Sequence, residues 1–257
     1  MQQQRKRRTQ ILFAGGIGTA VVLILVIVLI AVLTSGPAKK AATPTTTSPS
    51  TTAAVTTTTG VTHISVPLIS AGSVGCPKLN GTSPHYTKFP KAPPMCIKAG
   101  QQYSAHLVTD VGTITVKLLP TQSLAAVNNF VFLSLYHFYD GTEFHRVIPA
   151  FVDQGGDPTG TGEGGPGYAF NGGEPKTATV YTAGALAMAN DGGNPATDGS
   201  QFFIVVGKGG LSLKPLYSYF GQVTAGMSVV NKINAGGSAS GTPTVIHKIL
   251  KVTISES

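Results

Sequence analysis

Phe144-His145-Arg146-Val147-Ile148-Pro149-Ala150-Phe151-Val152-Asp153-Gln154-Gly155-Gly156-Asp157-Pro158 is the stretch from which the fold is read. It opens with apolar residues in alternation, the pattern of a strand with one face buried. It then breaks into a glycine-rich run, Gly155 to Gly167, where backbone must turn tightly or approach another group closely. Arg146 stands out within it. The chain has four arginines, three of them in the first eight residues, and from residue 61 onward it has eleven lysines and this one arginine. A domain that otherwise solvates itself with lysine has a geometric use for a guanidinium, whose planar fork fixes donors that an ammonium cannot. A structural ion pair is the alternative use.

Three further stretches agree in order with this one: Gly162 to Tyr168, Ala187 to Asn190, and Gly199 to Ile204. Looser matches follow at Tyr219 to Val223 and Gly226 to Val230. Across roughly residues 101–257 the sequence thereby resembles the cyclophilins, the peptidyl-prolyl cis-trans isomerases, and four ordered motifs are far more specific than one short pattern. The resemblance implies an all-β fold: a closed eight-stranded antiparallel barrel with a helix over each end. It implies an enzyme that needs no cofactor and no metal, with proline-containing unfolded or extended polypeptides as partners, and a monomer. It implies Arg146 as the catalytic donor and Phe151, Val152, Phe203 and Leu213 as the lining of an apolar pocket for the proline ring. Gln154 would bond near the substrate carbonyl, Asn190 would hold the peptide backbone beside Ala189 and Asp191, and Gln201 would support that wall. Core packing is the competing use for each apolar member. The sequence departs from the family in places. Val152 stands where methionine is commoner, which alters pocket shape rather than abolishing it. Tyr217 stands where eukaryotic members have histidine, the loop Asp191 to Ser200 looks longer than usual, and the chain has no tryptophan.

The rest of the domain fits many short strands and two helices. Tyr103 to Thr109 and Thr113 to Leu118 read as a hairpin. Thr121 reads as the N-cap of a helix whose apolar positions Leu124, Val127, Phe130, Val131 and Leu135 recur at helical spacing. Ala185 to Asn190, Gln201 to Val206, Tyr219 to Val223 and Val245 to Ile254 read as strands. Gly226 to Ile233 reads as a short helix with Asn234 to Gly237 as its stop. Strand and helix do not alternate as in a parallel sheet, so periodicity alone supports a sandwich or barrel. Gly160 to Gly165 satisfies G-x-G-x-x-G, but Pro166-Gly167 follows instead of a helix, which argues against a dinucleotide site. His145 neighbours the arginine on the opposite strand face and reads as structural.

Toward the N-terminus the composition changes. Residues 1–60 hold six basic residues and no acidic ones, whereas residues 61–257 hold twelve and ten, so the formal charge of +8 is concentrated outside the folded part. No basic face supports nucleic-acid binding. Residues 1–10 read as a basic cytoplasmic tail, with Arg5 to Arg8 preceding an uncharged run, Ile11 to Leu33. At a rise of about 1.5 Å per residue that run spans a hydrocarbon core of about 30 Å, and its basic flank puts the C-terminal bulk outside the cytoplasm. A cleaved signal peptide is the alternative, but its apolar region is usually only about 7–15 residues and closes on a small-residue site. The expectation is therefore a single-pass cell-membrane protein. Residues 34–62, mostly Thr, Ala, Ser and Pro, read as a disordered linker.

Residues 63–100 read as an extension carrying the only two cysteines, Cys76 and Cys96. In an exported chain they suggest one disulfide, worth about 3 kcal/mol by loop closure. Free thiols are the alternative, and a zinc site would need further ligands at short spacing. By the resemblance, residues 101–257 are expected to form an isomerase domain that acts on exported proteins as they fold. Two readings compete with this one: a peptide-binding or chaperone module without catalysis, and a structural element of the cell envelope.

Overall fold

The computed structural model describes residues 66–257, apart from 69 and 73, together with the backbone of two strands, Val55–Thr58 (β1) and Val61–Ile64 (β2). All belong to one unit, Thr52–Ser257. The expected basic tail and membrane span, 1–10 and 11–33, lie outside the described residues. Among the described residues, no helix is long and apolar enough to cross a membrane. Most of the expected linker also lies outside them. Its end departs from the expectation of disorder, because β1 pairs antiparallel with β2 from Val55↔Ile64 to Thr58↔Val61. Valine and threonine there are β-branched and favour extended backbone.

The domain proper begins with β3 (Tyr103–Thr109) and β4 (Gly112–Leu118), the hairpin anticipated above. Helix α1 (Leu124–Leu135) follows. Its N-cap is Ser123 rather than Thr121: the Ser123 Oγ accepts from Ala126 N at 3.1 Å and donates to Gly172 O at 2.6 Å. The opening stretch is two strands and not one. β5 (Arg146–Ile148) turns through Pro149 to Phe151 into β6 (Val152–Gly155), with Arg146 opposite Gln154. Pro149 cannot continue a ladder, and Ala150 adopts φ 58° to reverse the chain. Strands β7 (Ala185–Met188), β8 (Phe202–Val205) and β9 (Tyr219–Ala225) come next, then helix α2 (Met227–Ala235) and β10 (Ile249–Glu256). The last strand starts four residues later than alternation indicated.

β3 to β10 form one antiparallel sheet in the order β10-β3-β4-β9-β7-β8-β6-β5. It is a curled sheet whose end strands do not share a full ladder, where a closed barrel was expected. The two ends meet over a short segment just before β5 and β10. Phe144 N donates to His247 O at 3.0 Å and Ile249 N to Thr142 O at 2.8 Å. Alternation sends one set of side chains inward. Ala105, Leu107, Ile114, Val116, Val147 and Ile204 pack there with Phe130, Phe202 and Phe220 in the main core. A smaller cluster, Val152, Tyr181, Ala185, Ala187, Phe203 and Val205, sits on the outer face. Burying such a side chain stabilises by about 1.5–3 kcal/mol.

Helix α1 is buried from Ala126 to Leu135 without a solvent face. A helix apolar all round needs cover on both sides. The sheet covers one side and the extension covers the other. Phe89 packs its ring 5.1 Å from Phe132 and 5.6 Å from Tyr136, and Asn128 Oδ1 accepts from Cys96 N at 2.7 Å. Cys76 and Cys96 are bonded, with Cα atoms 5.3 Å apart. The segment between them, for which the sequence offered no purpose beyond folding, is therefore a second layer over α1.

Candidate active site

The outer face of the β5–β6–β8–β7 region carries the site. Register places Arg146 beside Gln154, Gln154 beside Phe203, and Phe203 beside Ala187. These four share one face because side chains alternate along each strand. A pocket of about 250 Å³ opens on this row, lined by Arg146, Phe151, Val152, Gln154, Ala189, Asn190, Phe203, Leu213 and Tyr217. That volume suits one small ring rather than a drug-sized ligand. Phe203 and Tyr217 meet edge to face, centroids 5.4 Å apart. The Tyr181 hydroxyl donates to Tyr217 O at 2.6 Å and accepts from Tyr217 N at 3.0 Å, which fixes that wall. Burial pushes the Tyr181 hydroxyl up to about 12, so it remains a donor.

Arg146 is half-buried, and no carboxylate among the described residues lies within ion-pair distance of it. Its Nη1 donates to Gln154 Oε1 at 3.2 Å. Gln154 Nε2 donates to Gln201 Oε1 at 3.0 Å, and Gln201 Nε2 donates to Gly162 O at 2.7 Å and Gly164 O at 2.9 Å. The N–H groups of Gly162 and Gly164 donate in turn to Asp157 Oδ2. The glycine run is thus a loop wrapped on one carboxylate, with its carbonyls aimed at the glutamine pair. Burial raises Asp157, but hydrogen bonds from Thr159 and Gly164, with His145 nearby, outweigh it and hold the carboxyl below its usual range. His145 is buried, and its ring lies beside the glycine loop, where a Cβ added at Gly162 would come within 3.7 Å of it.

Each half of the site rests on a buried polar residue. Asn234, read above as a helix stop, lies within α2 and grips the β5–β6 turn. Its Oδ1 accepts from Ala150 N at 2.9 Å, and its Nδ2 donates to Ile148 O at 3.0 Å and Asp153 Oδ1 at 2.7 Å. On the other half, Asn190 Nδ2 donates to Asp198 Oδ1 at 3.1 Å and Leu216 O at 3.0 Å. Ser218 Oγ donates to Asp198 Oδ2 at 2.5 Å. Burial pushes Asp153 up to about 7 and Asp198 up to about 6, in both cases against hydrogen bonds that favour the charge.

The family model for cyclophilin type peptidyl-prolyl cis-trans isomerase/CLD matches residues 105–254, which contain all of these elements from β3 to β10 except their outermost residues. The chain belongs to the cyclophilin family.

Relatives agree with this assignment. Peptidyl-prolyl cis-trans isomerase B of Bacillus subtilis is 42% identical over 130 residues, covering 51% of this chain and 89% of that protein. Peptidyl-prolyl cis-trans isomerase B of Streptomyces anulatus is 41% identical over 152 residues, covering 52% and 85%. A crystal structure of a Cryptosporidium parvum cyclophilin type isomerase, determined in the presence of the dipeptide Ala-Pro, has 33% identity and TM-score 0.53. It covers 60% of this chain and 99% of that one.

Within the cyclophilin domain, the sequence-derived residues divide between two adjoining pockets. Asp191 and Gln201 line a larger one of about 450 Å³, which shares Gln154, Ala189 and Asn190 with the smaller. The others line the smaller pocket. Asp153, Asp198, Asn234 and Tyr181 escaped the sequence reading. None has a periodicity or a motif of its own, and each acts through a partner far along the chain.

Proposed function

We propose that this cyclophilin accelerates cis-trans rotation of Xaa-Pro bonds, with the proline ring in the smaller pocket and Arg146 donating to the proline nitrogen. One observation carries this reading. The only guanidinium of the domain stands half-buried at a pocket whose other walls include Phe151, Val152, Phe203 and Leu213, bonded to a neutral amide and not to a carboxylate. Such a group is fixed in direction yet keeps donors to spare. The rotation barrier of about 20 kcal/mol is lost amide resonance, so no nucleophile is needed. As the bond twists, the nitrogen regains a lone pair that can accept a hydrogen bond. A donor aimed at that point favours the twisted state over both planar ones. An acceleration of about 10⁵-fold requires about 7 kcal/mol, which one charged donor and a shaped pocket can share. The chain Gln154–Gln201–Gly162 keeps the guanidinium from swinging away.

The protein, on this reading, is tethered by residues 11–33 with its isomerase domain outside the cytoplasm, where it serves exported chains as they fold. The Cys76–Cys96 disulfide supports that compartment, since such bonds persist where thiols are oxidised. The test is exchange in an Xaa-Pro peptide, followed by NMR or by a coupled protease. Arg146→Ala is expected to lower kcat/KM by at least about 100-fold, and Arg146→Lys to recover only part of it. A folded Arg146→Ala protein with undiminished turnover would refute the mechanism. Protease cleavage of the domain on intact cells tests the tether.

A further inference from the structure

The larger pocket has a wall that does not come from the cyclophilin sheet. Lys88, from the disulfide-closed extension, lines it together with Glu163, Asp191 and the glycine loop. Lys88 is held on both sides along the chain. Its carbonyl accepts from Ala71 N at 2.8 Å, and the next residue, Phe89, donates its N–H to Pro166 O at 2.7 Å. The Phe89 ring is buried against α1. The Lys88 stem lies over Gly167, where an added Cβ would come within 3.3 Å of Lys88 Cδ and Cε and 2.6 Å of Phe89 O. Gly167 also has φ +98°, so loop and extension meet at a place where only glycine fits without strain. The ammonium is exposed, as are Glu163 and Asp191. The extension thus supplies the one cation of a pocket whose other two charged residues are acids.

We propose that Lys88 is a specificity-determining residue: it sets which charge a substrate chain carries into the larger pocket while its proline occupies the smaller one. The inference rests on the smaller pocket being the proline site. The two pockets share Gln154, Ala189 and Asn190, so a peptide leaving one passes directly into the other. With Lys88 present, a substrate acid meets a nearby partner that offsets the two carboxylates. Reversing Lys88 makes all three charges negative and favours a substrate cation.

The experiment uses the full chain as wild type, Lys88→Ala and Lys88→Glu. Xaa-Pro peptides carry Glu, Gln or Lys at one of the three positions on either side of the dipeptide. Lys88→Glu is expected to change the ratio of kcat/KM for the Lys peptide over the Glu peptide by about tenfold toward lysine at one position. Lys88→Ala should change it by about threefold, and the Gln peptide should be unaffected. High salt should shrink both effects. An unchanged ratio in Lys88→Glu at every position overturns the proposal. If wild type turns over none of the peptides, the isomerase reading fails instead. Peptide affinities by fluorescence anisotropy would then still decide whether Lys88 selects charge.

Discussion

Beneath the Arg146 half of the site lies Asp153, and behind the Asn190 half lies Asp198. Both carboxyls are fully buried, yet they are treated differently. Asp153 receives one side-chain hydrogen bond, from Asn234, and its Oδ2 has no hydrogen-bond partner among the described residues. Asp198 is supported by Ser218, Asn190 and the Gly172 backbone. The better-supplied group is the less perturbed, about 6 against about 7. The difference teaches that burial alone does not set the charge of a wall. The number of donors turned toward it sets how far burial raises the carboxyl.

The largest test of that contrast is the pH dependence of stability. A carboxyl whose pKa rises on folding binds more protons folded than unfolded. Its contribution to stability is therefore full at low pH and is lost as pH climbs from the unfolded value to the folded one. For Asp153 the loss runs from an ordinary carboxyl's 3.8 to about 7 and is on the order of 4 kcal/mol. For Asp198 it ends near 6. Denaturant unfolding across this range should lose its slope between pH 6 and 7 in Asp153→Asn, whereas Asp198→Asn should flatten only the part below. Equal effects of the two variants in the upper range would break the comparison.

Removing the support on each side comes next. Asn234→Ala strands the Ala150 N–H and the Ile148 carbonyl in the turn that carries Arg146 and Phe151, and is expected to cost about 3 kcal/mol. Because the turn aims the donor, kcat should fall by about tenfold while KM changes little. Asp198→Ala, measured by the same unfolding and kinetic assays, should cost about 2 kcal/mol. Its kinetic effect should fall mainly on KM, since it frees Asn190 in the binding wall. The smallest effect sharpens the contrast most directly. Ser218→Ala removes one donor from Asp198, which should lose about 1 kcal/mol and raise that carboxyl by about one pH unit, toward Asp153. Carboxyl NMR titration would register it.

Much of this was legible in the chain itself. The β3–β4 hairpin forms where local pattern indicated, and Arg146, Phe151, Val152, Phe203 and Leu213, which the family resemblance grouped, line one pocket. Local pattern failed where tertiary partners decide. Phe144 to Gln154 reads as one alternating segment ahead of the glycine run, whereas Pro149 and the positive φ of Ala150 fold it back and Asn234 holds the turn through the Ala150 N–H. Asn234 itself resembles any helix terminator, because its partners lie more than eighty residues away in sequence. Asp198 looks like an ordinary loop aspartate until Ser218 and Asn190 close around it. The full ladder expected to close the sheet is replaced by a short tie before β5 and β10, which alternation cannot foretell.

Helix α1 has no side of its own to show to water, and this has a practical result. Trimming the polypeptide to begin at Gln101, where resemblance to the family starts, would peel the covering layer from Phe132, Tyr136 and Phe138. The shortened protein would be expected to clump or to melt early even with every residue of the smaller pocket intact.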